Sequence, residues 1–211
     1  MLRGTNKFAS ICGTSIATIQ YARHIRINWA ATLPATAGAL FFSFLGARAV
    51  TLLDPAVMRP LVLIMLVGIA IYTFLRKDFG SLHVPKLGSM KQFSISIITG
   101  MVIGFYDGFF GPGTGSFLIF VFIGIFGFSF LAASASSKVI NFATNLSAVL
   151  YFGFTGNIIF KVAILMAIFN ILGAIAGTKL AILKGNRFVR IFFLIIVSAM
   201  IIRLGYDVLV R

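Results

Sequence analysis

The residues with the clearest potential for chemistry in this chain lie in a stretch that interrupts a long apolar run. From Gly104 to Gly115 the sequence reads GFYDGFFGPGTG, and the acid within it is Asp107. Inside a bilayer an ionisable side chain is costly, about 2.5–3.5 kcal/mol on insertion scales, and usually marks an ion path or a proton relay. We therefore interpret Asp107 as a proton-coupling residue. The alternative is a carboxyl near a helix end that local backbone amides hold or that reaches the interface.

The break next to Asp107 consists of five residues with turn chemistry, namely Gly111, Pro112, Gly113, Thr114 and Gly115. Glycine permits positive φ angles and proline removes a backbone donor, so a continuous helix is excluded there. Ser116 is expected to cap the helix that follows, whose first amides and positive dipole end attract anions. We predict that the five residues bind substrate. The alternative is a tight connection between two helices.

A second polar group follows on the next long uncharged segment. Lys138, Asn141 and Asn145 are spaced by three and four residues, which places them on one face of a helix. An ammonium with two side-chain amides suits an oxyanion, because it supplies a point charge and several donors. We predict these three residues as further substrate ligands. The alternative for Lys138 is a side chain that extends to the lipid headgroups.

The composition determines the environment of these residues. Of 211 residues, 60% are hydrophobic and 10% are charged, so ordinary polar helix faces are not available for contact with water. The chain is therefore predicted to be an integral membrane protein surrounded by the lipid bilayer. The net charge of +14 suggests nucleic acid, but the basic residues separate apolar runs, where they flank headgroups and set topology. We expect no nucleic-acid partner.

Several classes of chemistry lack their residues. Cys12 is the single cysteine, which excludes an intrachain disulfide and a thiolate metal cluster. The sequence has no nucleotide-binding Gly-rich loop ending in Lys and Ser or Thr, and no intramembrane His, Glu or Cys accompanies Asp107. The other acids, Asp54, Asp78 and Asp207, fall in or near connections. We therefore expect no enzymatic activity, no catalytic residue, no metal and no cofactor.

The elements that must position these groups are helices, because no alternating pattern of a membrane barrel is present. Apolar runs bounded by turn residues and charges predict eight helices, near 5–22, 29–50, 57–75, 92–110, 115–129, 132–154, 160–180 and 187–206. We expect an all-α integral membrane protein, a bundle of about seven to eight transmembrane segments. Residues 1–211 would form a single polytopic membrane domain.

The bundle contains an internal repeat. A shift of 131 residues aligns 5–76 with 136–207 without a gap, and the loops and basic residues coincide. The shift matches three pairs of polar residues: Lys7 with Lys138, Ser10 with Asn141, and Thr14 with Asn145. The basic connections change position between the two copies, so we expect inverted repeats with the 76–91 connection cytoplasmic.

The second copy has a lead-in that the first copy lacks. This lead-in, 92–135, holds the Gly-rich break, and its counterpart would fall before residue 1. We expect an incomplete first repeat at 1–76, a connection at 77–91 and the second repeat at 92–211. About 40 residues of an ancestral first repeat would then be missing, through truncation, a late start codon at Met1 or genuine shortening.

Two motifs resemble a known family. The stretch from Gly104 to Phe117, followed by SKVIN at 137–141, is similar to the second-half signature of the sulfite exporter TauE/SafE family of bacterial membrane permeases, and Thr5-Asn6-Lys7 resembles the segment after its first-half Gly-rich motif. The resemblance covers essentially the whole chain. It implies two homologous halves, a multi-pass location in the bacterial cytoplasmic membrane and transport of sulfur-containing anions such as sulfite or organosulfonates. The chain departs from the family in lacking the first-half Gly-rich motif.

These observations favour a secondary transporter, or permease, for a small anion, with proton coupling through Asp107. The alternative is a non-transporting membrane subunit, or a truncated remnant that needs a partner chain. The sequence predicts no oligomeric state.

Overall fold

A computed structural model describes residues 2–49, 58–75, 79–85 and 87–209 of the chain, and all regular elements in these ranges are α-helices. The helices are α1 (Leu2–His24), α2 (Trp29–Ala49), α3 (Met58–Leu75), α4 (Ser89–Phe109), α5 (Thr114–Gly124), α6 (Phe130–Phe154) and α7 (Phe160–Leu209). Helix α7 is broken at Gly185, whose φ of 69° and ψ of −163° favour glycine. Counting the two halves of α7, the described chain has the eight helical segments that the sequence predicts, and the all-α class is confirmed.

Two of the helices are both long and apolar enough to cross a bilayer by themselves. They are Trp29–Ala49 and the stretch Phe160–Asp207 of α7, and the latter extends over 48 residues. Because about 20 apolar residues span the hydrocarbon core, this stretch has the length of two crossings joined at the break. Both segments expose large apolar side chains, among them Phe41 and Phe169.

Helix α5 differs from its prediction. It begins at Thr114 and ends at Gly124, whereas the sequence predicted a helix over 115–129. Its 11 residues reach about 16 Å, roughly half of a bilayer core. The expected cap at Ser116 is also wrong: the N-cap is Gly113, in the left-handed conformation, and Ser116 lies inside the first turn. The turn after Asp107 therefore opens a half-length helix within the bundle.

The helix bounds follow the internal repeat. Adding 131 to the bounds of α1 gives 133–155, against 130–154 for α6. The same shift moves α2 to 160–180 and α3 to 189–206, which lie within the two halves of α7. Under this shift α1 corresponds to α6, and α2 corresponds to the first half of α7. Helix α1 packs on α7, and α6 packs on α2, so each first helix contacts the second helix of the other copy. An exchange of this kind is what two copies related by a two-fold axis would give.

The tightest helix contact holds the helix that carries Asp107. Glycines of α4 lie against small residues of α2, in the order Gly100 on Ala35, Gly104 on Ala39 and Gly108 on Ser43. A Cβ atom on Gly108 would collide with the Ser43 carbonyl, so the two backbones are in direct contact. Ser43 in turn donates from its hydroxyl to the Thr144 carbonyl of α6 at 3.1 Å. The backbone of α4 next to Asp107 is therefore held against α2, and α2 is held in turn against α6.

The basic connections gather at one end of the bundle. Three hydrogen bonds join them: Gln92 Nε2 donates to Asn28 Oδ1 at 3.3 Å, Phe130 N to Gly80 O at 2.8 Å, and Asn186 Nδ2 to Ser81 O at 3.0 Å. The α1–α2 connection, the α3–α4 connection and the break in α7 thus lie together, with the basic residues Arg23, Arg26, Lys91, Lys184 and Arg187. Arg76, Lys77 and Lys86 lie outside the described residues. The α6–α7 connection lies near the start of α1, where Ile159 N donates to Thr5 Oγ1 at 3.0 Å.

Candidate functional site

One cavity collects every residue that the sequence predicted for the site. It has a volume of about 860 Å³ and lies between α1, α4, α5, α6 and α7. Its walls include all nine predicted residues, namely Asp107, Gly111, Pro112, Gly113, Thr114, Gly115, Lys138, Asn141 and Asn145. Their spatial proximity could not be read from the sequence, in which they extend over 39 positions (107 to 145).

Asp107 is buried and paired. Its Oδ2 lies 2.6 Å from the ammonium of Lys7, and the two side chains are 7% and 11% exposed. Its Oδ1 lies 2.7 Å from the hydroxyl oxygen of Thr114. The carboxyl lies near the end of α4, as in the alternative interpretation, and side chains of α1 and α5 hold it there in a buried position.

The other three acids do not join the cavity within the described structure. Asp207 lies in the last turns of α7 and pairs with Arg203 at 3.7 Å, where its side chain is 26% exposed and that of Arg203 is 76% exposed. Asp54 and Asp78 lie outside the described residues.

The turn between α4 and α5 is held from both helices. Gly111 and Gly113 have φ angles of 89° and 86°, a conformation that a residue with a side chain rarely adopts. Tyr106 donates from its hydroxyl to the Pro112 carbonyl, and the Thr114 hydroxyl lies 2.7 Å from the Gly111 carbonyl. No side chain caps α5. The N–H of Thr114 bonds to the Gly111 carbonyl at 3.3 Å, but those of Gly115 and Ser116 are available to an anion, with the positive end of the helix dipole behind them.

The polar face of α6 is available to a ligand. Lys138 is partly buried and Asn145 is buried, and both line the cavity with Asn141. No other described residue bonds to the side chains of these three through a hydrogen bond or an ion pair. The amide nitrogen of Asn141 approaches α5 closely, since it would lie 3.5 Å from a Cβ atom on Gly115. The absence of a side chain at Gly115 thus keeps this donor open to the cavity.

The opposite wall is formed by the matched face of α1. Lys7, Ser10 and Thr14 line the cavity, at the positions that a shift of 131 assigns to Lys138, Asn141 and Asn145. Thr14 Oγ1 lies 2.9 Å from the Ser10 carbonyl, so this hydroxyl is partly occupied by its own helix. The polar faces of α1 and α6 that this shift aligns thus line one cavity.

Two residues of the site were not predicted as ligands from the sequence. Lys7 forms the ion pair with Asp107, and the signal that could have identified it was its alignment with Lys138. Tyr106 fixes the turn through Pro112, and no sequence signal indicated that, because a Tyr in an apolar helix is common packing material.

The charges of the cavity favour an anionic ligand. Among the described residues that line it, the charged ones are Lys7, Asp107 and Lys138. Lys7 and Asp107 neutralise each other at 2.6 Å, which leaves the ammonium of Lys138 uncompensated. A positive charge in a partly enclosed cavity with unpaired amides and an uncapped helix N-terminus can hold a small anion by charge-assisted hydrogen bonds.

Comparison with known proteins identifies a family. The family model for the sulfite exporter TauE/SafE matches residues 1–204. No solved structure matches the chain.

Three curated bacterial relatives are similar to almost the whole chain. A probable membrane transporter protein, ORF9, from Sinorhizobium is 34% identical over 97% of this chain and 77% of its own length. A probable membrane transporter protein of Haemophilus influenzae is 33% identical over 98% of this chain and 80% of its own length. The probable membrane transporter protein YfcA of Escherichia coli K12 is 31% identical over 96% of this chain and 75% of its own length. The chain therefore belongs to the sulfite exporter TauE/SafE family of membrane transporters.

Proposed function

We propose that this membrane transporter is a secondary transporter of small anions, with sulfur-containing anions such as sulfite or an organosulfonate as its substrates. The observation that carries the proposal is the uncompensated ammonium of Lys138 inside the cavity, beside two side-chain amides without protein partners. The family description names sulfite, and an oxyanion of sulfur presents the acceptor oxygens that these donors require.

The substrate anion binds between α5 and α6. Lys138 supplies the charge, Asn141 and Asn145 donate from their amides, and the backbone N–H groups of Gly115 and Ser116 donate from the first turn of α5. The close approach of Asn141 to Gly115 brings the two sets of donors within reach of one small ligand.

Proton coupling follows from the position of Lys7. Its ammonium is the partner of Asp107 at 2.6 Å, and it lines the same cavity as Lys138. An entering anion attracts Lys7 away from the carboxylate, and Asp107, left buried without its counterion, then takes up a proton. The anion and the proton therefore occupy the site together, and alternating access of the two repeats would carry both across the bilayer.

The test measures flux in proteoliposomes that contain the purified protein, with sulfite and methanesulfonate as probes and an imposed pH gradient. We expect gradient-driven flux of at least one probe in the parent protein and loss of its pH dependence in Asp107→Asn. The matched control is Asp207→Asn, at a partly exposed acid of α7 that does not line the cavity, and this variant should keep the dependence. A pH-dependent flux that is equal in the parent and in Asp107→Asn would refute the coupling role.

A second candidate function is that of a subunit that transports only with a partner chain. Helix α2 is covered by the glycine-rich face of α4, whereas its counterpart, the first half of α7, carries Gly173 and Gly177 with open space beside them. Among the described residues, no acid pairs with Lys138 as Asp107 does with Lys7. A partner chain could supply a helix with small residues, which would pack on Gly173 and Gly177, and an acid in an adjacent turn, which would pair with Lys138.

Reconstitution separates the two candidates. If the purified chain alone transports the probes, it is a transporter by itself. If flux requires membranes of the source cells and a second protein co-purifies in fixed ratio, the chain is a subunit.

A further inference from the structure

The hydroxyl of Thr114 has two acceptors and one proton. Its oxygen lies 2.7 Å from Asp107 Oδ1 and 2.7 Å from the carbonyl oxygen of Gly111. A carbonyl oxygen only accepts hydrogen bonds, and an ionised carboxylate only accepts them too. Thr114 therefore cannot serve both neighbours at once while Asp107 is ionised.

The protonation state of Asp107 decides between the two arrangements. When the carboxyl is ionised, the stronger bond is the one to the charge, so Thr114 donates to Oδ1 and the Gly111 carbonyl loses this donor. When Oδ1 carries a proton, Asp107 donates to the Thr114 oxygen, and Thr114 then donates to Gly111. Lys7 contacts the other oxygen, Oδ2, and so leaves Oδ1 free for this exchange.

The Gly111 carbonyl links the choice of the Thr114 hydroxyl to the geometry of the turn. It also accepts the backbone N–H of Thr114, in a long bond of 3.3 Å that closes the turn before α5. A second bond from the Thr114 hydroxyl to the same carbonyl tightens the turn, and its loss loosens it. Thr114 is 3% exposed, so its hydroxyl does not readily donate to water and must choose between these two acceptors.

We infer that Thr114 is a positioning residue that closes the Gly111–Gly113 turn when Asp107 takes up a proton and releases it when Asp107 is ionised. The proton thereby sets the placement of the first amides of α5, which form part of the anion site. The inference rests on the proposed coupling role of Asp107 and adds the link from its charge to the binding backbone.

The other titratable and charged groups around Asp107 are few in the described structure. Helix α1 contributes Lys7 and Tyr21, α4 the adjacent Tyr106, and α6 Lys138. Helix α2, which packs on α4, carries Arg48 at an exposed position, one residue after the Ala47 that contacts Gly108. The residues of α7 that line the cavity are uncharged.

The test is hydrogen–deuterium exchange of the protein in lipid nanodiscs, read on peptides that cover residues 110–117. Exchange is compared at the acidic and alkaline limits of the range in which the protein stays folded, after correction for the intrinsic effect of pH. We expect the parent turn to exchange several-fold more slowly at acidic pH. Thr114→Val, which replaces the hydroxyl by a methyl of similar size, should exchange rapidly at both limits, whereas Thr114→Ser should behave like the parent.

Asp107→Asn should hold the turn in its closed arrangement at every pH. Because Lys7 requires the amide oxygen, the new NH2 group faces Thr114 and donates to it, so the turn should stay slow at both limits. The same exchange rates at both limits in the parent, or a retained pH dependence in Thr114→Val, would overturn the inference. Neither readout involves transport, so the exchange experiment can fail while pH-dependent flux persists, and flux can fail while the exchange pattern holds.

Discussion

Lys7 and Lys138, which a shift of 131 residues aligns, line the same cavity, yet they differ in their partners. Lys7 is paired with Asp107 at 2.6 Å, while no described residue pairs with Lys138. One cavity thus contains a lysine neutralised by an acid, Lys7, and a lysine that no described acid neutralises, Lys138. This difference supplies both halves of the proposed mechanism, a site for the anion and an acid that can respond to it.

Removal of the Lys7 charge should expose the energetic cost of the buried carboxylate. In Lys7→Gln, Asp107 keeps Thr114 but loses its counterion, and we expect a destabilisation of about 1–3 kcal/mol. The double variant Lys7→Gln with Asp107→Asn should recover most of this loss, because the buried charge is gone. Thermal unfolding in one detergent measures both effects. Lys161→Gln, at an exposed lysine near the start of α7, is the control. If the destabilisation of the double variant equalled the sum of those of the two single variants, the pairing of Lys7 and Asp107 would be contradicted.

Removal of the Lys138 charge should weaken anion binding with little effect on stability, since no protein partner is lost. A hydrogen bond to a charged group contributes about 1.5–3 kcal/mol, so Lys138→Gln should raise the KM for the transported anion by about ten- to a hundredfold. The control is Lys184→Gln, at an exposed lysine whose ammonium lies 5.3 Å from the centre of the Phe188 ring. Equal KM values for the parent and Lys138→Gln would exclude the lysine from the binding site.

The parts of the structure that follow from local chemistry were predictable. Turn residues and charges gave eight helical segments with ends close to those observed, and the family assignment agrees with a multi-pass protein of the bacterial cytoplasmic membrane. Helix α5 was predicted too long, because its apolar sequence continues to Phe126 and does not reveal that the helix ends at Gly124. The predicted cap at Ser116 failed because the backbone of Gly113 already ends the turn.

The partners of the site residues were not predictable, because they depend on helix packing. The sequence places Lys7 and Asp107 100 residues apart, and their contact arises from α1 and α4 meeting at the cavity. The role of Thr114 is a second example. It was predicted as a substrate ligand from its place in the turn, whereas its hydroxyl lies between Asp107 and Gly111.

The contact between α2 and α4 should tolerate no side chain at Gly108. A Cβ atom there would meet the backbone of Ser43 and Ala47, which cannot move aside as a flexible side chain can. We expect Gly108→Val to destabilise the protein by about 1–3 kcal/mol and to separate Asp107 from Lys7. Gly205→Val, in a helix with open space around the glycine, is the matched control. Similar unfolding temperatures for the two variants would mean that the helices do not pack in this way.

The inverted relation of the repeats can be tested with His24 and Thr155, which a shift of 131 makes equivalent. Both are exposed, and each lies at or just beyond the end of the first helix of its copy. The connection after His24 lies with the other basic connections, whereas Thr155 precedes the connection that contacts the start of α1. In a Cys12→Ser background, His24→Cys should react with an impermeant maleimide from the cytoplasmic side and Thr155→Cys from the opposite side. Inverted repeats require opposite sides for the two positions, and parallel repeats require the same side, so labelling of right-side-out and inside-out vesicles decides between them.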